Sequence, residues 1–522
     1  MDPAMAIEAA ALAQQQPMLT AMERAQGDSE VQRFYKNSVL FLTGGSGFLG
    51  KQLIEKLFRS CQITKVYVLM RQKKGKAIQT RIQEMVKDPL FDTLRQQKPD
   101  FVEKISGIEG DVSEIRLGIN DSDWNTLTEE VDVMYHVAAT TRFDEPLQRA
   151  TIINVRGTRE ALLLGKACKK LKSYVHVSTA YTNATTCLVG EDVDEKFYKA
   201  PIPPTVLISM AESMSSDRLM NITPSLTKDW PNTYTFTKLV SEELVQDLSD
   251  GLPICIVRPG IVLCAYREPA PGWLDSSCIF GATGFVYGTG LGVLHTAYVN
   301  PNTTLGIVPC DYVTNALIVA ARETSSSQAK GGPNTRIYTV TSTQRNPARI
   351  YKVIDNEARS IVSPKSIYYC FGTDTSSKFL YTFLCIFLQF IPAYIADFTC
   401  LLIRRERRFV KLAHKTYKLC NVLSFFTTNE WRFIDNNTDK LYFSLSELDQ
   451  AIFNFNISNI NWTEFTLIWC IGIRKYIAKD RLKDTEYGIK KQKYFAIFHY
   501  VFMSLHCFMT LTYCYYLKLF FK

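Results

Sequence analysis

Short apolar runs rich in β-branched residues alternate with helix-length segments between Ser38 and about Tyr338. The clearest of these runs are SVLFLTG, KVYVLM, VDVMYHVA, SYVHVST and PICIVRPG. Strands that are separated by helices pair in parallel, because the chain must cross back over the sheet between one strand and the next. The pattern therefore predicts an α/β fold, a doubly wound parallel sheet with helices on both faces.

The chain divides into four segments by composition. A length of 522 residues is too great for one ordinary core, so at least two domains are expected. Beyond about Ser360 the alternation gives way to long helical, aromatic-rich stretches with few Gly or Pro. We predict a variable, disordered tail at 1–36, an α/β domain at 37–355, a mainly helical C-terminal domain at 356–490 and a C-terminal transmembrane helix within an anchor at 491–522.

The anchor is predicted from Tyr494 to Leu517, a stretch without Asp, Glu, Lys or Arg. At about 1.5 Å per residue, roughly 24 helical residues extend about 36 Å, which is enough to cross a bilayer. Three lysines precede this stretch and two follow it, so the positive-inside bias places the bulk of the protein in the cytosol. A long buried core helix is the alternative.

A second apolar stretch, Phe379 to Ile403, is interrupted by Pro392 and Asp397 and is followed at once by five basic residues between positions 404 and 411. A full span here would carry those basic residues to the non-cytosolic side of the membrane. We therefore favour a segment that lies in the membrane interface, re-enters it, or forms a buried wall of the protein.

Charge and cysteine content exclude several classes of partner. The 60 Lys and Arg against 51 Asp and Glu give a net charge of +9, without a dense basic tract interleaved with aromatic residues, so nucleic acid is not expected to bind. Basic clusters beside the apolar segments suit an anionic cytosolic membrane face. The 14 cysteines contain no C-x-x-C pair, so we predict neither a metal site nor a disulfide scaffold.

A glycine-rich turn, TGGSGFLG, follows the first predicted strand and precedes the helical sequence KQLIEKLFRSC. Gly44, Gly47 and Gly50 have the spacing G-x-x-G-x-x-G, in which small residues allow a tight turn, a close approach to a pyrophosphate and packing of helix on strand. The helix N-terminus then faces the phosphates. In this position the motif predicts a Rossmann-type dinucleotide site. The residues of this turn assigned to the cofactor are Thr43, Gly44, Ser46, Gly47, Phe48, Leu49 and Gly50.

The residues after the second predicted strand indicate which dinucleotide binds. An acidic residue there would hold a ribose 2′-hydroxyl, but KVYVLM is followed by Arg71, with Lys73 and Lys74 close behind. A guanidinium attracts a 2′-phosphate, so NADPH is the predicted cofactor, and a solvated charge run is the alternative. Asp111 is placed where it could accept from the adenine amino group, and Ala138 is one of the small residues that end the next strand beside the cofactor.

Tyr234 and Lys238 are four residues apart in NTYTFTKLVSEELV, so they share one face of a predicted helix. A phenol with a pKa of about 10 needs about three units of help, roughly 4 kcal/mol, to exchange a proton at neutral pH, and a neighbouring ammonium supplies part of it. Thr179, with Ser178 as the alternative, would hydrogen-bond the substrate oxygen beside Tyr234. Asn154 could hold a water that links Lys238 to solvent, or could simply begin a helix.

These residues together resemble the extended short-chain dehydrogenase/reductases: the glycine turn, the Thr, the Tyr-x-x-x-Lys pair and the strand end Arg258-Pro259-Gly260. Lys238 and Pro259 are accordingly predicted to contact the cofactor as well. From about Asn37 onward the chain resembles the alcohol-forming fatty acyl-CoA reductases, particularly those of insects. The motifs that carry this resemblance are LTGGSGFLGKQLIEKL, DPLFDTLR, HVAATTRFDEPL, NVRGTREALLL, VHVSTAYTN, PGWLDS, FFTTNEWRF and GIRKYIAKD.

The resemblance implies a membrane-bound enzyme that reduces long-chain fatty acyl-CoA with NADPH. Hydride addition to the thioester carbonyl would give an oxyanion held by Thr179 and Tyr234, and Tyr234 would donate the proton. Loss of CoA would give an aldehyde, and a second reduction would give the fatty alcohol. The residues after 355 would form the family's C-terminal "male sterility" domain.

The lipid bilayer is the second predicted partner, because a long acyl chain is poorly soluble in water. The endoplasmic reticulum is the expected membrane, and the peroxisomal membrane is the alternative. Two other functions stay open at this point. One is a membrane-bound short-chain reductase that acts on a sterol or another lipid carbonyl, and the other is a non-catalytic lipid-binding scaffold. The oligomeric state is not predicted.

Overall fold

The computed structural model describes residues 1–72, 75–279, 281–329, 335–349 and 358–520. Its strands, in chain order, are β1 (Val39–Thr43), β2 (Lys65–Met70), β3 (Ile105–Glu109), β4 (Val133–His136), β5 (Ser173–Val177), β6 (Asp192–Val193), β7 (Ile254–Pro259), β8 (Ile261–Leu263), β9 (Thr296–Tyr298), β10 (Ile307–Pro309), β11 (Arg336–Val340), β12 (Thr373–Thr375) and β13 (Arg432–Phe433). Seven of them form the central sheet, in the order β3-β2-β1-β4-β5-β7-β11. All six neighbouring pairs of that sheet are parallel, which confirms the predicted doubly wound α/β fold.

Helices connect these strands and form most of the C-terminal third. The α-helices of the described residues are α1 (Pro3–Ala13), α2 (Gln16–Ala25), α3 (Glu30–Tyr35), α4 (Phe48–Ser60), α5 (Ile78–Met85), α6 (Asp92–Gln97), α7 (Asp121–Glu130), α8 (Leu147–Thr151), α9 (Gly157–Ala167), α10 (Pro204–Ser213), α11 (Ser216–Leu226), α12 (Thr233–Leu248), α13 (Ala282–Gly290), α14 (Cys310–Ala329), α15 (Lys378–Cys385), α16 (Ile391–Leu402), α17 (Phe409–Thr428), α18 (Asn436–Phe443), α19 (Glu447–Ile452), α20 (Trp462–Gly472) and α21 (Thr485–Phe520). A π-helical turn joins α8 to α9, and another joins α15 to α16.

Both faces of the sheet are buried, which explains why its strands are continuous apolar runs. Successive side chains of a strand point to opposite faces. Leu40 and Leu42 of β1 belong to a core cluster on one face, with residues of α4 and α14. Phe41 belongs to a second cluster on the other face, with residues of α9 and α12. The helix α12, which carries Tyr234 and Lys238, is therefore fixed directly against the sheet.

The strand order reverses at β1, which lies between β2 and β4 in the sheet. In parallel α/β sheets the crevice at such a reversal, outside the carboxyl ends of the strands, is where ligands bind. Register places Thr43 beside His136 and His136 beside His176, so β1, β4 and β5 end at one level. The predicted glycine turn leaves the sheet at this edge.

The N-terminal segment differs from the expected disordered tail. Residues of 1–36 form α1, α2 and α3, and α1 packs on α20 while α2 packs on α19. Alanine is a strong helix former, and its small side chain permits close packing, so Ala4 and Ala11 are buried. The phenol oxygen of Tyr35 lies 2.5 Å from that of Tyr135 in the core. The order of α1 and α2 is not visible in the local sequence, because the helices that cover them lie more than 400 positions away along the chain.

The region after the α/β sheet is mainly helical, as predicted, although the expected boundary at 355–356 lies outside the described residues. The C-terminal apolar stretch forms the single helix α21. The continuous helix Lys378–Leu402 is, by length and composition alone, apolar enough to cross a membrane, and only 22% of its most apolar window is buried. A fully buried wall does not fit this exposure, while the interfacial and re-entrant alternatives for Phe379 to Ile403 stay predictions.

A buried ionic cluster joins the α/β sheet to the C-terminal helices. The ammonium of Lys56 lies 2.7 Å from both carboxylate oxygens of Glu268 and donates to the carbonyl of Ile452 at 2.6 Å. Arg59 donates to the same carboxylate at 2.8 Å, and Asn315 does so at 2.9 Å. Burial alone would raise the pKa of Glu268, but the cations of Lys56 and Arg59 lower it to about 2. The carboxylate thus holds α4, α14 and α19 together.

Replacing Glu268 by Gln should lower the free energy of unfolding by about 3–5 kcal/mol, because the buried cation of Lys56 loses its counter-charge and Arg59 keeps only that of Glu55. Urea unfolding of the full chain at neutral pH measures the loss. The contribution of Glu268 is complete above its unfolded-state pKa of 4.5 and is lost as pH falls toward about 2, since protonation then removes the same charge from the wild-type protein. The difference between the two proteins should therefore shrink below pH 4.5.

The matched control is Glu84→Gln, which removes a carboxylate from an ion pair with Lys76 in which both side chains are about half exposed. Such surface pairs contribute little to stability, so this variant should unfold like the wild type. An equal loss in both variants would show that the effect of Glu268→Gln is not specific to the buried cluster.

Candidate active site

In the glycine turn, two stretches of backbone lie so close together that no side chain would fit between them. Gly44 has φ +75°, and a Cβ atom there would lie 2.7 Å from the backbone nitrogen of Ala138. A Cβ on Gly50 would lie 2.3 Å from the carbonyl oxygen of Gly44. The amide of Gly47 donates to that same carbonyl at 2.9 Å, and Gly47 is the N-cap of α4. The open N-terminus of α4 and the absence of side chains on one wall fit a pyrophosphate.

Three other predicted residues of the turn have separate environments. Ser46 is exposed. Phe48 is half-buried and packs on Trp273, with ring centroids 5.3 Å apart, while Leu49 packs against the main core. Phe48 and Leu49 therefore contribute only their backbone to the N-terminus of α4, and their side chains hold that helix in place.

Thr43 shapes the crevice from inside. Its side chain is fully buried, and its hydroxyl oxygen lies 2.8 Å from His136 Nδ1 and accepts from the amide of Ala138 at 3.3 Å. These bonds tie the end of β1 to the end of β4. Burial lowers the pKa of His136 to about 3, and the nearby charge of Lys238 adds to this effect. His136 is a neutral link in the floor of the site that sequence patterns did not identify.

Arg71 and Asp111 meet beyond the ends of β2 and β3. Their closest atoms, Arg71 Nη1 and Asp111 Oδ2, are 3.6 Å apart, and the side chain of Arg71 is 65% exposed. Asp111 also accepts from the amide of Ser113 at 2.9 Å, which fixes its carboxylate. Arg81 donates to the carbonyl of Arg71, so a second guanidinium lies beside it. Lys73 and Lys74, also part of the prediction, lie outside the described residues.

Tyr234 lies in the first turn of α12, and Lys238 lies one turn later. Asn232 caps this helix by accepting from the amide of Thr235 at 2.9 Å. The ammonium of Lys238 donates to the carbonyl of Val177 at 2.8 Å, at the carboxyl end of β5. The helix start and the strand end therefore bring the predicted Tyr and Lys to the edge of the sheet where the glycine turn lies.

Thr179 completes the predicted group. Its hydroxyl donates to the carbonyl of Pro259 at 3.3 Å and lies close enough to the phenol of Tyr234 to lower the pKa of that group. The hydroxyl of the alternative, Ser178, is buried and has no hydrogen-bond partner among the described residues. Thr179 thus lies next to both Tyr234 and Pro259.

The two ionisable groups have shifted pKa values. Burial raises the pKa of Tyr234 to about 12, and the hydrogen bond from Thr179 opposes the rise. Burial lowers the pKa of Lys238 to about 8, and the carboxylate of Glu242 opposes the fall. At neutral pH the phenol keeps its proton and the ammonium keeps its charge. Of the two groups, Tyr234 is the hydroxyl that holds a proton, and Lys238 is the neighbouring positive charge.

The surroundings of α12 hold this pair in place. Arg258 and Glu242 form a buried ion pair with Nη2 and Oε2 2.6 Å apart, which attaches α12 to β7. The side chain of Asn154 accepts from the amide of Thr140 at 2.9 Å and donates to the hydroxyl of Thr237 at 3.0 Å. Asn154 thus fastens a loop to α12 from within the π-helical turn that joins α8 to α9, so it does not begin a helix.

Two phenylalanines lie next to the reactive phenol. Phe143 is stacked on Tyr234 with ring centroids 6.1 Å apart, and Phe426 of α17 lies 5.5 Å from Phe143. Tyr181 contacts Phe426 edge to face at 5.3 Å. The C-terminal helices therefore supply part of the wall beside Tyr234. Sequence reasoning missed both phenylalanines, although each lies in a quoted motif, HVAATTRFDEPL or FFTTNEWRF.

Comparison with known proteins identifies the family. Two family models, both described as male sterility protein, match residues 42–317 and 388–480. Fatty acyl-CoA reductase wat of Drosophila melanogaster is 35% identical, over 92% of this chain and 91% of that protein. The chain belongs to the fatty acyl-CoA reductase family. Other members include fatty acyl-CoA reductase 1 of Xenopus laevis, at 34% identity over 87% of each chain, and fatty acyl-CoA reductase 2 of Homo sapiens, at 32% over 91% of each.

Solved structures agree with the fold of this family member. The terminal R domain from the myxalamid PKS-NRPS biosynthetic pathway aligns with a TM-score of 0.54 at 18% identity, over 85% of this chain and 92% of that chain. A thiolation-reductase di-domain from an archaeal non-ribosomal peptide synthetase gives 0.51 at 16% identity, over 89% and 81%. At such low identity the likeness shows the fold alone. Together with its family, the reductase fold makes this chain an oxidoreductase with a nicotinamide cofactor.

Gly50→Ala should weaken binding of the nicotinamide dinucleotide by about tenfold or more, equivalent to about 1.4 kcal/mol. The added Cβ would lie 2.3 Å from the carbonyl oxygen of Gly44, so the turn must open. Titration by nucleotide fluorescence measures the change. Gly372→Ala is the control, because no atom lies within 4 Å of its added Cβ, and it should bind nucleotide normally. Normal binding by Gly50→Ala would contradict this assignment of the turn.

Proposed function

We propose that this protein reduces long-chain fatty acyl-CoA to fatty alcohol with NADPH, releasing CoA and passing through an aldehyde. The observation that carries the proposal is the position of Tyr234 and Lys238 one turn apart on α12, with Lys238 bonded to the end of β5, at the sheet edge where Thr179 and the glycine turn lie. The relatives named fatty acyl-CoA reductases support the substrate. Bound NADPH would supply one hydride to each of the two reduction steps.

Thr179, Tyr234 and Lys238 act on the carbonyl oxygen of the substrate by stabilising and protonating it. In each reduction the carbonyl oxygen gains negative charge, and Thr179 can turn its hydroxyl from the Pro259 carbonyl toward it. Tyr234 then transfers its proton to that oxygen. The positive charge of Lys238 stabilises the phenolate that remains. Without that charge, ionisation of Tyr234 is unfavourable, because burial raises the pKa of its phenol to about 12. Loss of CoA from the first tetrahedral product gives the aldehyde, and reduction of the aldehyde gives the alcohol.

The choice of NADPH rests on the positive charge beyond β2. The guanidinium of Arg71 is largely exposed, although it pairs with Asp111, so it remains accessible to a 2′-phosphate. Arg81 adds a cation beside it. Arg71 and Arg81 carry no carboxylate that could accept from a ribose 2′-hydroxyl. The nearby carboxylate of Asp111 pairs with Arg71 and accepts from the amide of Ser113. This end of the site therefore suits a phosphorylated ribose.

We assign the NADPH-binding reductase domain to 37–355, the helical C-terminal domain to 356–490 and the anchor to 491–522. Burial of a sixteen-carbon chain is worth roughly 12 kcal/mol, at about 0.8 kcal/mol per methylene, so the substrate and product partition into lipid. Helix α21 has exposed apolar residues such as Ile497 and Val501, and we propose that it anchors the enzyme in a bilayer. The catalytic domain then faces the cytosol, at the endoplasmic reticulum or at the peroxisome.

Tyr234→Phe should lower the rate of acyl-CoA reduction by about 10²–10⁴-fold, because it removes the proton donor. NADPH binding should persist, since the glycine turn is unchanged. The assay measures CoA release and fatty alcohol formation by full-length protein in lipid. Tyr67→Phe is the matched control: it removes from β2 a hydroxyl that donates to Glu130 of α7, away from the site, and should keep the wild-type rate. Wild-type CoA release by Tyr234→Phe would refute the proposed role.

Arg71→Ala should raise the KM for NADPH by about tenfold or more and leave the KM for NADH nearly unchanged, because a charge-assisted hydrogen bond contributes about 1.5–3 kcal/mol. Steady-state kinetics with each nucleotide provide the measurement. Arg33→Ala, which removes an exposed guanidinium from α3, is the control and should alter neither constant. A parallel rise in both constants would argue against recognition of the 2′-phosphate by Arg71.

A further inference from the structure

The C-terminal region contains an exposed apolar hairpin, formed by Lys378–Leu402, the turn 403–408 and α17. Its first arm places large apolar side chains on the surface. The most exposed of these include Phe379 at 83%, Leu402 at 68%, Phe398 at 60% and Tyr394 at 58%. Surface patches of this kind mark a contact with a partner or a membrane.

Asp397 fixes the reversal of this hairpin. Its carboxylate accepts from the amides of Arg408 and Phe409, both at 2.9 Å, and from the amide of Val410 at 3.0 Å. An acidic group in this position satisfies and neutralises the start of α17. The residue that interrupts the apolar sequence is therefore a cap. The chain turns back after Leu402 instead of continuing through a membrane.

The second arm cannot lie in the hydrocarbon core. Helix α17 carries three exposed lysines, Lys411, Lys415 and Lys418, and charged side chains at membrane depth are costly. The turn between the arms adds four exposed arginines against one carboxylate, Glu406. An apolar wall beside a basic rim is complementary to a lipid surface with anionic headgroups.

A short strap connects the apolar hairpin to α21. In this strap, residues 368–375, Phe371 lies 4.4 Å from the ring of His499, and Tyr368 lies 6.2 Å from Phe495. The last three residues of the strap form β12, and the first arm of the apolar hairpin begins at Lys378. The hairpin and the exposed part of α21 therefore leave the protein from the same place, so both can reach one membrane.

We propose that the apolar hairpin docks in the headgroup interface of an anionic phospholipid membrane, as a second lipid contact beside α21. Its second arm then connects that surface to the active site. Helix α17 is about 30 Å long, begins at the basic turn and ends near Phe426, which packs through Phe143 on Tyr234. Docking would hold the wall of the carbonyl site at a fixed height above the lipid, and it does not depend on which lipid carbonyl is reduced.

Tryptophan quenching by brominated lipid tests this docking without turnover, so an inactive enzyme does not affect the result. Phe398→Trp places a reporter on the hairpin, and Ile115→Trp, at a position 67% exposed on the α/β domain, is the control. Full-length protein is reconstituted in phosphatidylcholine–phosphatidylserine vesicles brominated at shallow or deep acyl positions. We expect quenching beyond that of the native tryptophans for Phe398→Trp only, strongest with shallow bromines. Quenching equal to the control would refute lipid contact, and a maximum with deep bromines would show a spanning segment instead.

A second variant tests the role of the charges. Changing Arg404, Arg405, Arg407 and Arg408 to Gln in the Phe398→Trp protein should reduce quenching in vesicles that contain phosphatidylserine and leave it unchanged in pure phosphatidylcholine. The control changes Lys166, Lys169, Lys170 and Lys172, all exposed on the α/β domain, to Gln, and should not alter quenching. Equal quenching in both arginine and lysine variants would overturn the preference for an anionic surface.

Discussion

The carboxylate of Glu268 holds the α/β sheet and the C-terminal helices of this enzyme together. It pairs with Lys56 and Arg59 of α4, the helix that follows the glycine turn, and Glu55 supplies the second negative charge through its own pair with Arg59. Through Asn315 it also reaches α14 on the back of the sheet. Because Lys56 donates to the carbonyl of Ile452 as well, the same charges fix the C-terminal helices relative to the cofactor crevice. A dry cluster of this kind has one favourable arrangement, since each buried cation needs its partner.

The active site is assembled from elements that are distant in sequence. The sheet brings the ends of β1, β4, β5 and β7 to one edge, and α12 adds Tyr234 and Lys238 there. Hydrogen bonds joining Thr43 to His136 and Ala138 connect the end of β1 to the end of β4. The C-terminal helices then add Phe426 beside the phenol. Proton donor, cofactor turn and aromatic wall thus belong to three different parts of the chain.

The sequence allowed prediction of whatever depends on local pattern. The strands were readable from their apolar runs, and the glycine turn was readable because Gly50 closes on the carbonyl of Gly44, a contact within one short motif. Features that depend on distant partners were not readable. The helices at 3–35 needed α19 and α20 to cover them, and Phe426 needed the packing of α17. Asp397 looked like an interruption, because its role as a cap appears only after the chain has reversed.

The contact between Phe143 and Phe426 has a consequence for biosynthesis. The ribosome releases the glycine turn, Thr179, Tyr234 and Lys238 well before it reaches α17. A nascent chain of that length already carries the residues proposed to bind the nucleotide and to transfer the proton, but it lacks Phe426, which packs through Phe143 on Tyr234. The aromatic wall beside Tyr234 is therefore completed only after α17, the second arm of the apolar hairpin, has emerged.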